Sequence, residues 1–269
     1  ALRVAYLEST LNMSKSQVRQ LVWATTTLHA HIEGNPAKAC HTLAVEGPRD
    51  LNKTKRRDAI LDAAVILLGT CDSNDITTEE IAALAGVSAA TVYNLVGTRN
   101  ELMYQLVSRI LTDLAESLKA LDPGDPIAEA QLIIEHTVRA FVSNPNAYRQ
   151  VVAVTQRAAA AHPTPVEPAS FQVVAMRQAQ SMGIIRKDID ASGLARQIFL
   201  SYTGAAMLWS AGRIDDAGFL TAARHGLFTA LAAAATDDHR EQFIDRMRPL
   251  SKTLEKKAWR FKGPPNATS

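Results

Sequence analysis

The chain has few cysteines, glycines, prolines and aromatics and almost no net charge: 2 Cys, 13 Gly, 11 Pro, 6% aromatic residues and a formal charge of +2 in 269 residues. Each scarcity excludes something. Cys40 and Cys71 lack metal-ligand spacing and a secretory context, which argues against a disulfide scaffold or a zinc module and for two ordinary thiols in a reducing cytosol. The near balance of 29 basic and 27 acidic residues removes any argument for nucleic-acid binding from bulk charge, so basic groups must act by position. Arg3, Glu8 and Lys15 interrupt the N-terminus, and no uncharged apolar run of about 18 residues follows; the most apolar stretch, 198–212, is too short to span a bilayer. No membrane partner and a cytoplasmic location are expected. GxSxG, HExxH, CxxC and a glycine-rich phosphate loop do not occur, and the seven His residues are scattered, so no catalytic residue, metal or cofactor is assigned.

What is present is helical. Gly and Pro fall between segments of helical periodicity, alternating Val/Ile/Thr runs are absent, and a 47% hydrophobic content is enough to bury a sizeable core. The expected fold is all-α, with no sheet. Residues 1–50 form an N-terminal extension, either without fixed structure or with one helix over 17–32, and Gly47-Pro48 marks a linker. Residues 51–100 make a DNA-binding head, and 101–269 a helical bundle for effector binding and dimerisation.

Residues 77–96, TTEEIAALAGVSAATVYNLV, have the spacing of a helix-turn-helix. Thr77 and Glu80 compose a capping box, with Ile81 and Ala85 on one face of the helix it opens. Ala82 is small where a second helix crosses, Gly86 supplies positive φ for a sharp turn, and Val87 plugs the corner. Ser88 caps the second helix, whose inward face is Val92 and Leu95. Ala89, Ala90, Thr91, Tyr93 and Asn94 then point outward, towards a major groove. Thr78, Thr98 and Arg99 sit at helix starts, where hydroxyls and backbone N–H groups meet phosphates. Lys53, Lys55 and Arg56, with Arg57, form a basic arm suited to an adjacent minor groove. Lacking Arg or Lys, the second helix has no bidentate reader of guanine; its methyl groups suit thymine and Asn94 suits adenine, so an A·T-rich half-site is expected.

An apolar helix precedes the motif, with Ile60, Leu61, Ala64, Leu67 and Leu68 at helical spacing, and a Thr98/Glu101 capping box opens a long helix of about 98–121 after it. That order, with RRDAILDAA, TTEEIAALAGVSAATVY and GTRNELM, resembles the TetR family of transcription regulators. The segment 181–215 resembles the family's dimerisation region, and the likeness spans about residues 53–235. It implies a homodimer that binds a palindromic double-stranded DNA operator, more in keeping with a repressor than with an activator, and is released by an apolar or amphipathic small molecule. A family Gly-aromatic pair is replaced by Asp72 and Ser73 and another aromatic by Val96, which implies a loosely packed head, and a family Lys is replaced by Ala89. A helical protein-binding adaptor is the competing reading, and a helical enzyme a more distant one.

Bundle helices are expected near 126–143, 145–161, 166–182, 190–211, 215–236 and 238–259. An effector pocket would draw on Phe141, Tyr148, Phe171, Met176, Met182, Tyr202 and Met207, with His136, Gln172 and Arg177 as polar anchors. Leu194, Ile198, Ala205, Ala206 and Trp209 make one stripe, and Leu220, Ala223, Leu227 and Ala230 another. Both suit a four-helix subunit interface, or the subunit's own core.

Overall fold

The computed structural model describes residues 48–72, 75–119, 124–161 and 169–256. Ten helices are found among them: α1 Pro48–Thr70, α2 Thr78–Ala85, α3 Ala89–Val96, α4 Arg99–Lys119, α5 Pro126–Val142, α6 Pro145–Ala161, α7 Ser170–Ser181, α8 Ala191–Ser210, α9 Asp216–Ala234 and α10 Asp237–Lys256. The first four make the head and the rest the bundle, α4 belonging to both. No strand occurs among the described residues. One antiparallel bridge, Ile185 to Ala235, ties the turn after α7 to the α9–α10 junction. The extension is outside the described residues up to 47. Pro48 starts α1 where a linker was expected, because proline's fixed φ and missing N–H suit a first helical turn.

Bundle helices start where short acceptors can take orphan N–H groups. Asp125 accepts from Ile127 and Ala128, with Pro126 next in the chain; Asp190 accepts from Ser192 and Gly193, and Asp215 from Gly218. Inside, four aromatic rings from different helices stack. The Phe141 ring of α5 lies 5.6 Å from Tyr148 of α6, 6.2 Å from Trp209 of α8 and 6.4 Å from Phe219 of α9. Trp209 is fully buried, yet its Nε1 donates to Asp216 at 2.7 Å. The Arg149 guanidinium lies over its ring at 5.2 Å. This one side chain therefore ties α6, α8 and α9 together.

Head and bundle are joined through α1 and α6. Helix ends leave carbonyls unpaired, and side chains around the α6 start supply donors. Asn144 Nδ2 donates to Val65 O at 3.3 Å, Asn146 Nδ2 to Gly69 O at 3.2 Å, and Gln150 Nε2 to Leu68 O and Cys71 O, both at 2.9 Å. The contact requires close approach, since a Cβ on Gly69 would meet Asn144 Nδ2 at 2.9 Å.

Within the head, a cavity of about 320 Å³ lies between α1, α2, α3 and α4. Leu68, Ile76, Val92, Val96 and Met103 line its floor, and it opens past Thr77 and Arg99. Val96 is one of the positions that the resemblance gives to an aromatic, so a loose head has a physical location. Val96→Phe should fill part of this space and stabilise the protein by about 1 kcal/mol. A higher melting temperature with unchanged helicity is the expected result of thermal denaturation.

Candidate nucleic-acid interface

The helix-turn-helix forms as its spacing predicts. Thr77 Oγ1 accepts from Glu80 N at 3.2 Å, while Glu80 Oε2 accepts from Thr77 N at 2.8 Å. The second bond holds the Glu80 carboxyl below its ordinary value. Gly86 adopts φ 67, ψ 34, a left-handed conformation that favours glycine, and its N–H caps α2. Ser88 Oγ accepts from Thr91 N at 3.2 Å and opens α3. A second box is present at α4: Glu101 Oε2 accepts from Thr98 N at 2.6 Å, and Thr98 Oγ1 from Glu101 N at 3.4 Å.

On α3, Val92 and Val96 are buried and Leu95 is half-buried against the core. Ala90, Tyr93 and Asn94 are exposed, Tyr93 at 63%. Thr91 is half-buried, its hydroxyl 2.8 Å from that of Ser88. Ala89 departs from expectation: it is half-buried and packs against the core, because the first turn of α3 leans on the head. Thr77, Thr78, Ser88, Thr98 and Arg99 are all exposed at helix starts.

The structure brings the basic end of α1 beside α3. Asn52, Lys53 and Arg56 line a surface depression of about 260 Å³ together with Thr91, Asn94 and Leu95. Residues 53–57 are helical, so over this stretch the arm reading is corrected: a helix cannot thread a minor groove as an extended tail does. Lys55 is exposed but does not line the depression. Arg57 is not free at all. It is 8% exposed, and its Nε donates to Leu95 O at 3.3 Å, with burial holding the guanidinium below its ordinary value.

Gln105 of α4 completes the hold on α3. Its Nε2 donates to Val96 O at 3.0 Å and Leu95 O at 3.5 Å. The C-terminal carbonyls of α3 are therefore gripped from α1 and from α4, so a displacement of α4 is felt at the outward face. Sequence reasoning missed Asn52, Gln105, Asn146 and Gln150, because an amide at helical spacing looks like a solvated residue until its partner carbonyl is known.

The expected effector residues scatter. Phe141, Tyr148, Phe171, Gln172 and Met176 are buried, and His136 and Tyr202 half-buried. Phe141 and Tyr148 belong to the aromatic stack, and His136 Nδ1 lies 3.4 Å from Ser117 Oγ. Met182 and Met207 are corrected, being 51% and 52% exposed on outer surfaces. Arg177 is also corrected: it is exposed and donates to Ser192 Oγ at 3.2 Å.

Most of the expected dimer stripe lies inside the subunit. Ile198, Ala205, Ala206, Trp209, Ala223 and Leu227 are all buried in the core of a single chain, where they have no surface left to give a partner. Leu194, Leu220 and Ala230 are half-buried and pack on that core. The correction has a simple cause. On a helix in contact on several sides, periodicity marks the apolar stripe but not the element it meets.

The fold matches the crystal structure of TylP, a TetR regulator from Streptomyces fradiae, at a TM-score of 0.50 and 17% identity, over 75% of this chain and 99% of that one. It is also similar to SmeT, the repressor of the Stenotrophomonas maltophilia multidrug efflux pump SmeDEF (TM-score 0.49, 21% identity, 67% of this chain and 91% of that one). An ArpA-like γ-butyrolactone receptor is similar at TM-score 0.49 and 18% identity, over 75% of this chain and 98% of that one. No protein-family model and no curated protein matches the chain. At such identities the likeness is one of fold, and the chain has the TetR-regulator fold.

Gln105→Leu should remove both bonds to α3 and leave Val96 O unpaired, while Leu95 O keeps its bond from Arg57, at a cost of about 1–3 kcal/mol. Hydrogen exchange should show the loss as faster exchange in α3 than in α9.

Proposed function

We propose that the chain is a dimeric, ligand-responsive transcription regulator, more in keeping with a repressor than with an activator, that binds a two-fold symmetric DNA operator through α3. The carrying observation is the depression that sets Lys53 and Arg56 of α1 beside Thr91 and Asn94 of α3. Cationic groups next to an exposed polar helix face combine phosphate attraction with base contact. Ala90, Thr91, Tyr93 and Asn94 meet base edges and sugars, Ala89 approaching from the partly covered first turn. Lys53, Lys55, Arg56 and Arg99 supply charge, while Thr77, Thr78, Ser88 and Thr98 present helix starts to phosphates.

Two heads read adjacent major-groove faces only when about 34–36 Å apart. The effector acts by preferring a dimer in which that spacing is lost, and α4, which spans head and bundle, transmits the change. The second copy docks on the outer face of α8, where Leu200 and Met207 are 60% and 52% exposed on either side of exposed Gly204. Three residues at four- and three-residue spacing form one line, and the glycine permits close helix approach.

Sequence selection from a random DNA pool tests the reading; recovery of no symmetric site overturns it. Arg99→Ala should weaken all sites alike and lower the salt slope by about one unit, and Asn94→Ala should relax preference at one base at a cost of about 1–3 kcal/mol. A Leu200→Arg/Met207→Lys double variant should scatter light as a folded monomer. Ala205→Glu, by contrast, should unfold the bundle instead of dividing a dimer, since Ala205 is 5% exposed within one chain.

A further inference from the structure

Two of the buried side-chain oxygens without a hydrogen-bond partner lie on the neighbouring helices α5 and α7. Gln172 of α7 is 4% exposed, and its Nε2 donates to Ala130 O of α5 at 3.3 Å. Its Oε1 has no hydrogen-bond partner. Next to Ala130 stands Glu129, half-buried, whose Oε1 is also buried without a partner. Buried polar atoms are nearly always paired, so two open acceptors, one on the residue next to Ala130 and one on the residue bonded to Ala130, point to a missing donor.

Their surroundings define what that donor is attached to. Glu129 lies one turn before Ile133 on the same face of α5. Ile133, Leu114 and Leu118 of α4 and Phe171 of α7 make a small buried cluster separate from the main core. The acceptors thus adjoin aliphatic groups and an aromatic ring. Burial raises the Glu129 carboxyl from 4.5 to about 7, the response of a carboxylate with no cation beside it. Arg224 of α9 forms an ion pair with Glu135 of α5 at 3.5 Å, its Nε making no hydrogen bond.

We propose that Glu129 and Gln172 form the polar end of a binding site for an amphipathic organic cation, an ammonium or amidinium whose N–H groups donate to both oxygens while its apolar body lies against the Phe171 cluster. Above about pH 7, where the Glu129 carboxyl is ionised, the set disfavours anionic ligands, which would face that charge, and neutral ones, which leave it uncompensated. The inference rests on the reading of the bundle as an effector-binding unit and narrows the effector to a cation.

Calorimetry of the full chain with 4-phenylbutylamine, 4-phenylbutanol and 4-phenylbutyrate, which share one apolar body, tests it. The amine should bind at least tenfold more tightly than the alcohol, and the acid should not bind. Glu129→Gln, a near-isosteric change, should remove the tenfold preference and leave alcohol binding unchanged, and Gln172→Met should weaken the amine alone. Equal affinity for amine and alcohol, or an amine preference that survives Glu129→Gln, overturns the site. A gel shift on the selected operator separates the two readings: amine binding by a protein that retains no DNA supports the site and overturns the regulator, whereas operator binding with no charge preference overturns the site alone.

Discussion

The head holds its place because carbonyl oxygens at the end of α1 find donors around the start of α6. A helix end without donors would be disfavoured, and the amides of Asn144, Asn146 and Gln150 meet the carbonyls of Val65, Gly69, Leu68 and Cys71, in and just past the last turns of α1. Gly69 permits the approach, and Gln150 bridges Leu68 and Cys71 past the last turn of α1. With α1 fixed to the bundle, the remaining head helices are arranged by what they share with α1. The basic residues reach α3 because α1 crosses beneath it, and Arg57 is buried because it serves that crossing.

The same wiring connects the head to the bundle a second time. Two independent grips on the carbonyls of α3, from Arg57 and Gln105, come from the helix anchored to α6 and from the helix continuous with the bundle. A relative shift of α1 and α4 must therefore move or strain α3. The cavity between these helices provides room for such a shift, because packing there is incomplete at Val96. Loose packing in the head and firm aromatic stacking in the bundle divide the molecule into a part that yields and a part that directs. An effector acts on such a device only through a difference in affinity between two shapes.

The bundle separates structural from unsatisfied polar groups. Trp209 and the Arg149 Nη2 both find Asp216 beside the aromatic stack, and Thr137 returns its hydroxyl to Ile133 and Ile134 of its own helix. Glu129 and Gln172 do not close in this way. Gln172 reaches Ala130 of the main core and follows Phe171 of the small second one, so it stands between the two.

Much of the architecture was legible from short-range chemistry. Capping boxes at Thr77 and Thr98, the turn at Gly86, the Ser88 cap and the Asp caps of the bundle involve residues three or four apart, so their outcome is settled locally. The expected bundle segments accordingly coincide with α5 to α10 to within a few residues. Partnership across the chain was not legible. Trp209 and Ile198 carry the same periodic signal whether they face a second copy or Phe219, Arg57 looks like another member of a basic arm until Leu95 is placed against it, and Glu129 looks solvated on a polar helix face. The sequence by itself determined which segments are helical, where they begin and which stripe of each is apolar, because those properties arise from neighbours on one helix. Only the tertiary structure decided what each stripe meets and which polar groups end without partners, because burial and pairing depend on residues 38 to 82 positions away, as the Arg57–Leu95 and Gln150–Leu68 bonds illustrate.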